Sequence, residues 1–99
     1  ANISKMRDGA AIINTARGAC AVSEDVAAAL RSGKLSWYGA DVAEVEPMSA
    51  DNPLLGLPNA ILTPHIAWRS NEAQAELQRK VARNVVSALL TGAPIYAVV

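Results

Sequence analysis

The sequence predicts an α/β fold: three parallel strands with flanking helices, closed by one long C-terminal helix. Three observations predict it. Apolar stretches of strand length, such as Ala10-Ala11-Ile12-Ile13-Asn14, run without polar alternation, the pattern of strands covered on both faces. They follow one another as helix, strand, helix, strand, loop, strand, long helix, an order that builds a parallel sheet through right-handed crossovers. The composition, 52% hydrophobic and 18% charged with few aromatics, fills a core with small aliphatic side chains and opposes disorder.

Each element has a local reason. Asn2 is placed to cap a short helix that stops at Asp8-Gly9, since glycine commonly follows a helix C-terminus. The strand Ala10–Asn14 comes next, then a turn at Thr15-Ala16-Arg17-Gly18. Ser23 reads as the cap of a second helix, with Glu24 and Asp25 complementing its dipole, Val26, Ala27 and Leu30 on one face, and Ser32-Gly33 as its end. The second strand runs from Ser36 to Val42, with Trp37 and Tyr38 as packing residues at its start. The stretch from Ala43 to Pro58 has no clear periodicity beyond one helical turn near Asp51–Leu55, and a loop of that length in a compact domain is usually functional or disordered. Ala60–Thr63 is the third strand. Ser70 then caps a helix in which Ala73, Leu77, Val81, Val85 and Leu89 recur every fourth residue, widened by Ala82, Val86 and Leu90. Thr91-Gly92 ends it, Pro94 prevents continuation, and Ile95–Val99 reads as a further strand or a tail.

Ninety-nine residues suit one core, burying roughly 60 to 70% of the unfolded surface. Nine basic residues balance nine acidic ones and no Lys/Arg cluster occurs, which removes the electrostatic footprint of a nucleic-acid binder. No apolar run approaches the ~18 residues of a membrane span, and no signal peptide is read. The single cysteine, Cys20, cannot form an internal disulfide, which fits a reducing cytoplasm; it is read as a small buried hydrophobe. No metal site is read.

Ligands of open parallel sheets bind beyond the carboxyl ends of the strands. Arg17, Glu46 and His65 each fall just after an expected strand, so one rule gathers a cation, a carboxylate and the only imidazole of the chain along one edge. A carboxylate beside an imidazole is a credible acid/base pair. Glu44 is read as solvated. Trp68 lines either a pocket or a subunit contact, and the apolar stripe of the long helix is core or interface.

Three segments carry a resemblance: Ile13-Asn14-Thr15-Ala16-Arg17-Gly18; Gly39-Ala40-Asp41-Val42 with Glu46-Pro47 beyond it; and Leu62-Thr63-Pro64-His65-Ile66-Ala67. In order and spacing they resemble the signature motifs of the D-isomer-specific 2-hydroxyacid dehydrogenases, and His65-Ile66-Ala67-Trp68 with Gly92-Ala93-Pro94 is most similar to the glycerate dehydrogenase/hydroxypyruvate reductase branch. The resemblance implies the second half of a Rossmann-type doubly wound parallel sheet over residues 1–70, with residues 71–99 returning towards a substrate domain. It implies hydride transfer between NAD or NADP and a D-2-hydroxy acid or 2-keto acid. Arg17 would bind the substrate carboxylate and carbonyl oxygen, His65 would move the proton, and Glu46 would orient the imidazole. Asp41 would meet the nicotinamide carboxamide, with a cap of the following loop as its other reading, and Thr15-Ala16 would lie against the same ring, beside Arg17 and His65.

The sequence departs from the pattern in having no Gly-x-Gly-x-x-Gly. The chain is therefore expected to be the C-terminal third of such an enzyme, inactive by itself and, through its uncovered helix, prone to form a homodimer or to be poorly soluble. A second reading is a non-catalytic dinucleotide-sensing module of the kind found in the related corepressors, since a fold alone does not fix function.

Overall fold

The computed structural model describes residues 2–97, and the chain divides into two units, Ala1–Ala67 and Trp68–Val99. The first unit holds a sheet of three parallel strands in the order β1-β2-β3. These are β1 (Ala10–Asn14), β2 (Leu35–Ala40) and β3 (Ala60–Leu62). Ala11 to Asn14 lie opposite Trp37 to Ala40, and Tyr38 to Ala40 lie opposite Ala60 to Leu62. The crossover from β1 to β2 contains helix α1 (Ser23–Arg31).

One face of the sheet makes the core. Side chains of a strand alternate between faces, and Ala10, Tyr38 and Ala40 point towards α1, whose Val26, Ala27, Ala29 and Leu30 are buried with them. Leu35 and Val26 are fully buried. Leu54 reaches into the same cluster from the long connection after β2 and anchors it. That connection contains successive turns in place of the expected helical turn at Asp51–Leu55: Leu55 N–H donates to Asn52 O, and the Asn52 side chain accepts from Leu54 N–H. An Asx turn of this type competes with helix by satisfying the backbone locally.

The opposite face is bare. Ile13 is 80% exposed, Ile61 62% and Trp37 51%, so the expectation of strands covered on both faces holds for one face only. The reason is topological: within Ala1–Ala67 the sole α-helix among the described residues is α1, and it covers a single side. Trp37 accordingly does not pack in the core, whereas Tyr38, one residue on, does.

Three local expectations are also corrected. Asn2 makes no side-chain cap, and the segment after it forms only a 3-10 turn at Ile3–Lys5, as expected where so few residues must meet the cost of helix nucleation. A second 3-10 turn spans Gly18–Cys20 and leaves Cys20 exposed on the surface. Ser23 is the first residue of α1, with Val22 in the cap position and no side-chain cap at that position.

The second unit is the helix α2 (Asn71–Thr91) and the segment after it. Both ends follow the sequence: Ser70 Oγ accepts from Ala73 N–H at 3.0 Å, and Gly92 closes the helix in the left-handed conformation, φ 77°, which glycine adopts without a Cβ penalty. The residues after Gly92 turn back instead of forming a strand: Asn84 Oδ1 accepts from Tyr96 N–H at 2.8 Å, and Lys80 Nζ sits 5.4 Å from the Tyr96 ring centre. Val98 and Val99 lie outside the described residues. No residue of α2 is buried, and Leu89 and Leu90 are 80% and 79% exposed.

Leu35→Ala removes a fully buried side chain and is expected to destabilise by about 2–5 kcal/mol, the range for large-to-small core changes. Chemical denaturation monitored by circular dichroism measures it, and a loss below 1 kcal/mol would show that the core does not centre on this residue.

Candidate functional site

Because the three strands are parallel, the segments following Asn14, Ala40 and Leu62 leave the sheet at one edge. Each is held by a different device. After β1, buried Asn14 closes the turn on itself: its Nδ2 donates to Arg17 O at 2.9 Å and its Oδ1 accepts from Ala16 N–H at 3.1 Å. Thr15, Ala16 and Arg17 stand exposed on this turn. The Arg17 guanidinium donates to Ala16 O at 2.7 Å.

After β2, Asp41 continues the ladder, its N–H donating to Asn14 O at 3.0 Å. Its side chain is buried, 5% exposed, and among the described residues every bond it makes is to the segment after β3. Oδ1 accepts from Thr63 Oγ1 at 2.5 Å and from Ile66 N–H at 2.9 Å, and Oδ2 accepts from Ala67 N–H at 2.7 Å. Burial alone raises the pKa of this carboxyl; the bonds from Thr63, Ala67 and Ile66 and the nearby imidazole outweigh it and hold it below the usual range.

Those bonds flank His65, the one non-glycine residue with positive φ among the described residues, at 57°. This left-handed conformation is uncommon for a side-chain-bearing residue and persists where surrounding bonds over-determine it. Here Thr63 on one side and Ile66 and Ala67 on the other are fixed to Asp41, and His65 N–H donates to Thr63 O at 3.1 Å. The bend presents the imidazole to Glu46: Nδ1 and Oε2 lie 2.7 Å apart. Glu46 Oε1 accepts from Ala43 N–H at 3.0 Å, and the peptide joining Glu46 to Pro47 is cis. The His65 bond, then the Ala43 amide, hold the Glu46 carboxyl below the usual range, and the charge of Arg17 acts in the same direction. Among the described residues no ion pair joins Arg17 to Glu46.

A cavity of about 210 Å³ opens at this point, lined by Asp41, Ala43, Glu46, Pro47, Met48, Thr63, Pro64 and His65. Its walls come from the segments after β2 and β3, with Arg17 on the adjoining turn after β1. Three residues with a part in this geometry escaped the sequence reading. Asn14 and Thr63 shape the turns that carry Arg17 and His65, and Asn at the end of an apolar run is a signal for the first. Glu44 is the third: it is exposed, as expected, and its Oε2 also accepts from Ser23 N–H at 2.7 Å, a bond the sequence did not suggest.

Two substitutions test this arrangement. Asp41→Asn preserves shape, but either orientation of the amide sets an N–H against an N–H of the loop; the melting temperature is expected to fall by about 4 °C or more, and an unchanged value would show that the clamp is dispensable. For Glu46, the folded-state pKa lies below the ordinary 4.5, so its contribution to stability is present in full above that pH and is lost as pH falls through the lowered value. The melting-temperature gap between the wild type and Glu46→Gln is therefore expected to be widest above about pH 5 and to close on acidification; thermal melts across pH 2–7 measure it.

Comparison with known proteins identifies the family to which this fold belongs. Residues 1–67 match the family described as D-isomer specific 2-hydroxyacid dehydrogenase, NAD binding domain. The chain is 45% identical over 94 residues to a hydroxypyruvate reductase of Blautia hydrogenotrophica, covering 95% of this chain and 29% of that protein. A crystal structure of a glyoxylate reductase from Paecilomyes thermophila superposes with a TM-score of 0.86 at 41% identity, over 94% of this chain and 28% of the other. An NADPH-dependent glyoxylate/hydroxypyruvate reductase from Sinorhizobium meliloti, solved with NADP and malonate, gives 0.87 at 29% identity, over 97% of this chain and 30% of the other. The chain thus spans less than a third of the length of each of these relatives. On the match across residues 1–67, with strand order and sequence in agreement, the chain belongs to the D-isomer specific 2-hydroxyacid dehydrogenase family and carries part of its NAD-binding domain.

Proposed function

We propose that this chain forms the acid/base side of the active site in an NAD(P)-dependent oxidoreductase acting on a small D-2-hydroxy acid or its 2-keto acid, of the glyoxylate or hydroxypyruvate class. The observation that carries the reading is the His65–Glu46 pair, 2.7 Å apart, set at the carboxyl edge of the sheet beside buried Asp41. The kinship with a hydroxypyruvate reductase and glyoxylate reductases supports the substrate class.

The residues present fit the nicotinamide end of the cofactor. Asp41 lines the cavity with a carboxylate able to accept from a carboxamide N–H, and Thr15, Ala16 and Arg17 would face the ring from the turn after β1. The sequence has no glycine-rich phosphate loop, so the NAD/NADP choice rests with other residues. When bound, the nicotinamide supplies or takes the hydride. Arg17 binds the substrate carboxylate and carbonyl oxygen, since a guanidinium fork presents two parallel N–H groups to two oxygens. His65 Nε2 donates a proton to the carbonyl oxygen in reduction and accepts it in oxidation. Glu46 bonds Nδ1, which fixes the tautomer and the orientation of the ring. Residues 1–70 act as the C-terminal half of the cofactor domain, and residues 71–99 as the long helix and tail that return towards a substrate domain. The exposed stripe of α2 supports assembly as a homodimer, and a lone free cysteine supports a cytoplasmic setting. No helix among the described residues is long and apolar enough to cross a membrane. The non-catalytic scaffold reading gains nothing from these relatives, all named as reductases.

The test is His65→Asn in the enzyme that carries this chain. Asparagine also tolerates the left-handed backbone, so the change removes the proton donor while sparing the turn. Steady-state turnover with a 2-keto acid is expected to fall about 10²- to 10⁴-fold, with cofactor affinity, read by NAD(P)H fluorescence, largely retained. Undiminished kcat would remove His65 from the reaction.

A further inference from the structure

We infer that Glu44 is a positioning residue for this site, and that it acts by holding the turn after β2 so that Glu46 meets His65; the inference rests on the reading of Glu46 and His65 given under Proposed function. Glu44 stands two residues before Glu46, yet its carboxylate does not line the cavity that Glu46 and His65 share. It turns the other way, to α1. The helix opens with Val22 in its cap position, which offers no polar side chain, and Ser23 as its buried first residue. Glu44 Oε2 fills that role from 21 residues away, accepting the Ser23 amide at 2.7 Å. The Ser23 hydroxyl and then the Ser23 amide hold the Glu44 carboxyl below the usual range. Asn52 Nδ2 donates to Ser23 Oγ at 3.4 Å, so the far part of the same connection is tied to the same point.

A second, steric observation fixes the other side of the turn. Gly18, directly after Arg17, is buried, and a Cβ built on it would stand 1.9 Å from Ala43 O and 2.4 Å from Glu44 N. The backbone of the Arg17 turn is therefore packed against the backbone that leads into Glu44 and Glu46. Ala43 N–H in turn donates to Glu46 Oε1 at 3.0 Å. The acidic turn is held between Gly18 on one side and the α1 N-terminus on the other, and the position of Glu46 follows from both. A side chain that only capped α1 would influence stability; this one sits in the same short turn as the group paired with the imidazole, so its loss displaces that group. Displacements of about 1 Å at reacting groups are enough to cost up to ~10²-fold in rate.

The experiment is a double-mutant cycle in the enzyme carrying this chain, with Glu44→Ala, Glu44→Gln, Glu46→Gln and the Glu44→Ala/Glu46→Gln pair. Glu44→Ala is expected to lower kcat about 10-fold with KM for the 2-keto acid changed less than about 2-fold. Glu44→Gln, whose amide oxygen still accepts from the Ser23 amide, is expected to recover part of the loss. In the Glu46→Gln background, Glu44→Ala is expected to add less than about 2-fold, because the residue it positions is already gone. Full additivity of the two changes, or wild-type kcat in Glu44→Ala, overturns the inference. A second readout is independent of turnover: ¹³C NMR titration of the Glu46 carboxyl is expected to move up towards the ordinary carboxylate range in Glu44→Ala, as its bonds to His65 and Ala43 loosen. An unmoved titration overturns the inference. A Glu46→Gln enzyme with undiminished kcat would instead remove Glu46 from the reaction, and the NMR titration would still decide whether Glu44 places it. If Glu44→Ala fails to fold, Glu44→Asp, one methylene too short to reach the Ser23 amide from the same backbone, carries the same two measurements.

Discussion

The arrangement at the sheet edge depends on one buried carboxylate. Asp41, directly after β2, has no cationic partner in bonding range among the described residues; it is satisfied by a hydroxyl and two backbone amides of the neighbouring segment. A buried anion is tolerated when its lone pairs are filled by hydrogen bonds, and leaving one unfilled is expensive. That requirement fixes Thr63, Ile66 and Ala67 in space, and His65, lying between them, has little choice of backbone conformation. The imidazole's direction is therefore a product of the charge behind it.

Around that centre the chain uses short-range chemistry to make long-range geometry. Asn14 folds the β1 turn onto itself, the absent side chain of Gly18 lets the next turn press against Ala43, and Glu44 ties that turn to α1. The Asn14 tie is local, whereas the other two join residues far apart in sequence that the parallel sheet brings together, and none lies in a regular element's interior. A rigid α/β platform with function carried on the connecting segments is the general logic of such sheets. The His65–Glu46 pair itself is half exposed, with side chains 43% and 40% accessible, so its electrostatics in this chain are softened by water.

What the sequence made legible was whatever has a local cause. The strands follow from unbroken apolar runs, and both ends of α2 follow from Ser70 and Gly92, where the cap chemistry is written in single residues. The common edge for Arg17, Glu46 and His65 followed from strand direction alone. What stayed hidden has no local pattern: Glu44 capping Ser23 and Asp41 holding Ile66 and Ala67 are pairings 21, 25 and 26 residues apart. The positive φ of His65 is a result of those pairings and leaves no mark in composition. Cys20 was misplaced because burial is a tendency of the residue type, whereas here a surface 3-10 turn sets its position. The one-sided cover of the sheet within Ala1–Ala67 was hidden for a related reason: apolar runs record that a strand is suited to burial on two sides, without saying which part of a polypeptide supplies the cover.

That bare face has a thermodynamic consequence. The heat-capacity increment of unfolding scales with the apolar surface newly wetted when the chain opens. Side chains such as Ile13, Ile61 and Trp37, already largely in water before unfolding, add little to it. The stability curve of this polypeptide should therefore be flatter against temperature than its hydrophobic content implies, with weaker curvature towards both the warm and the cold limits.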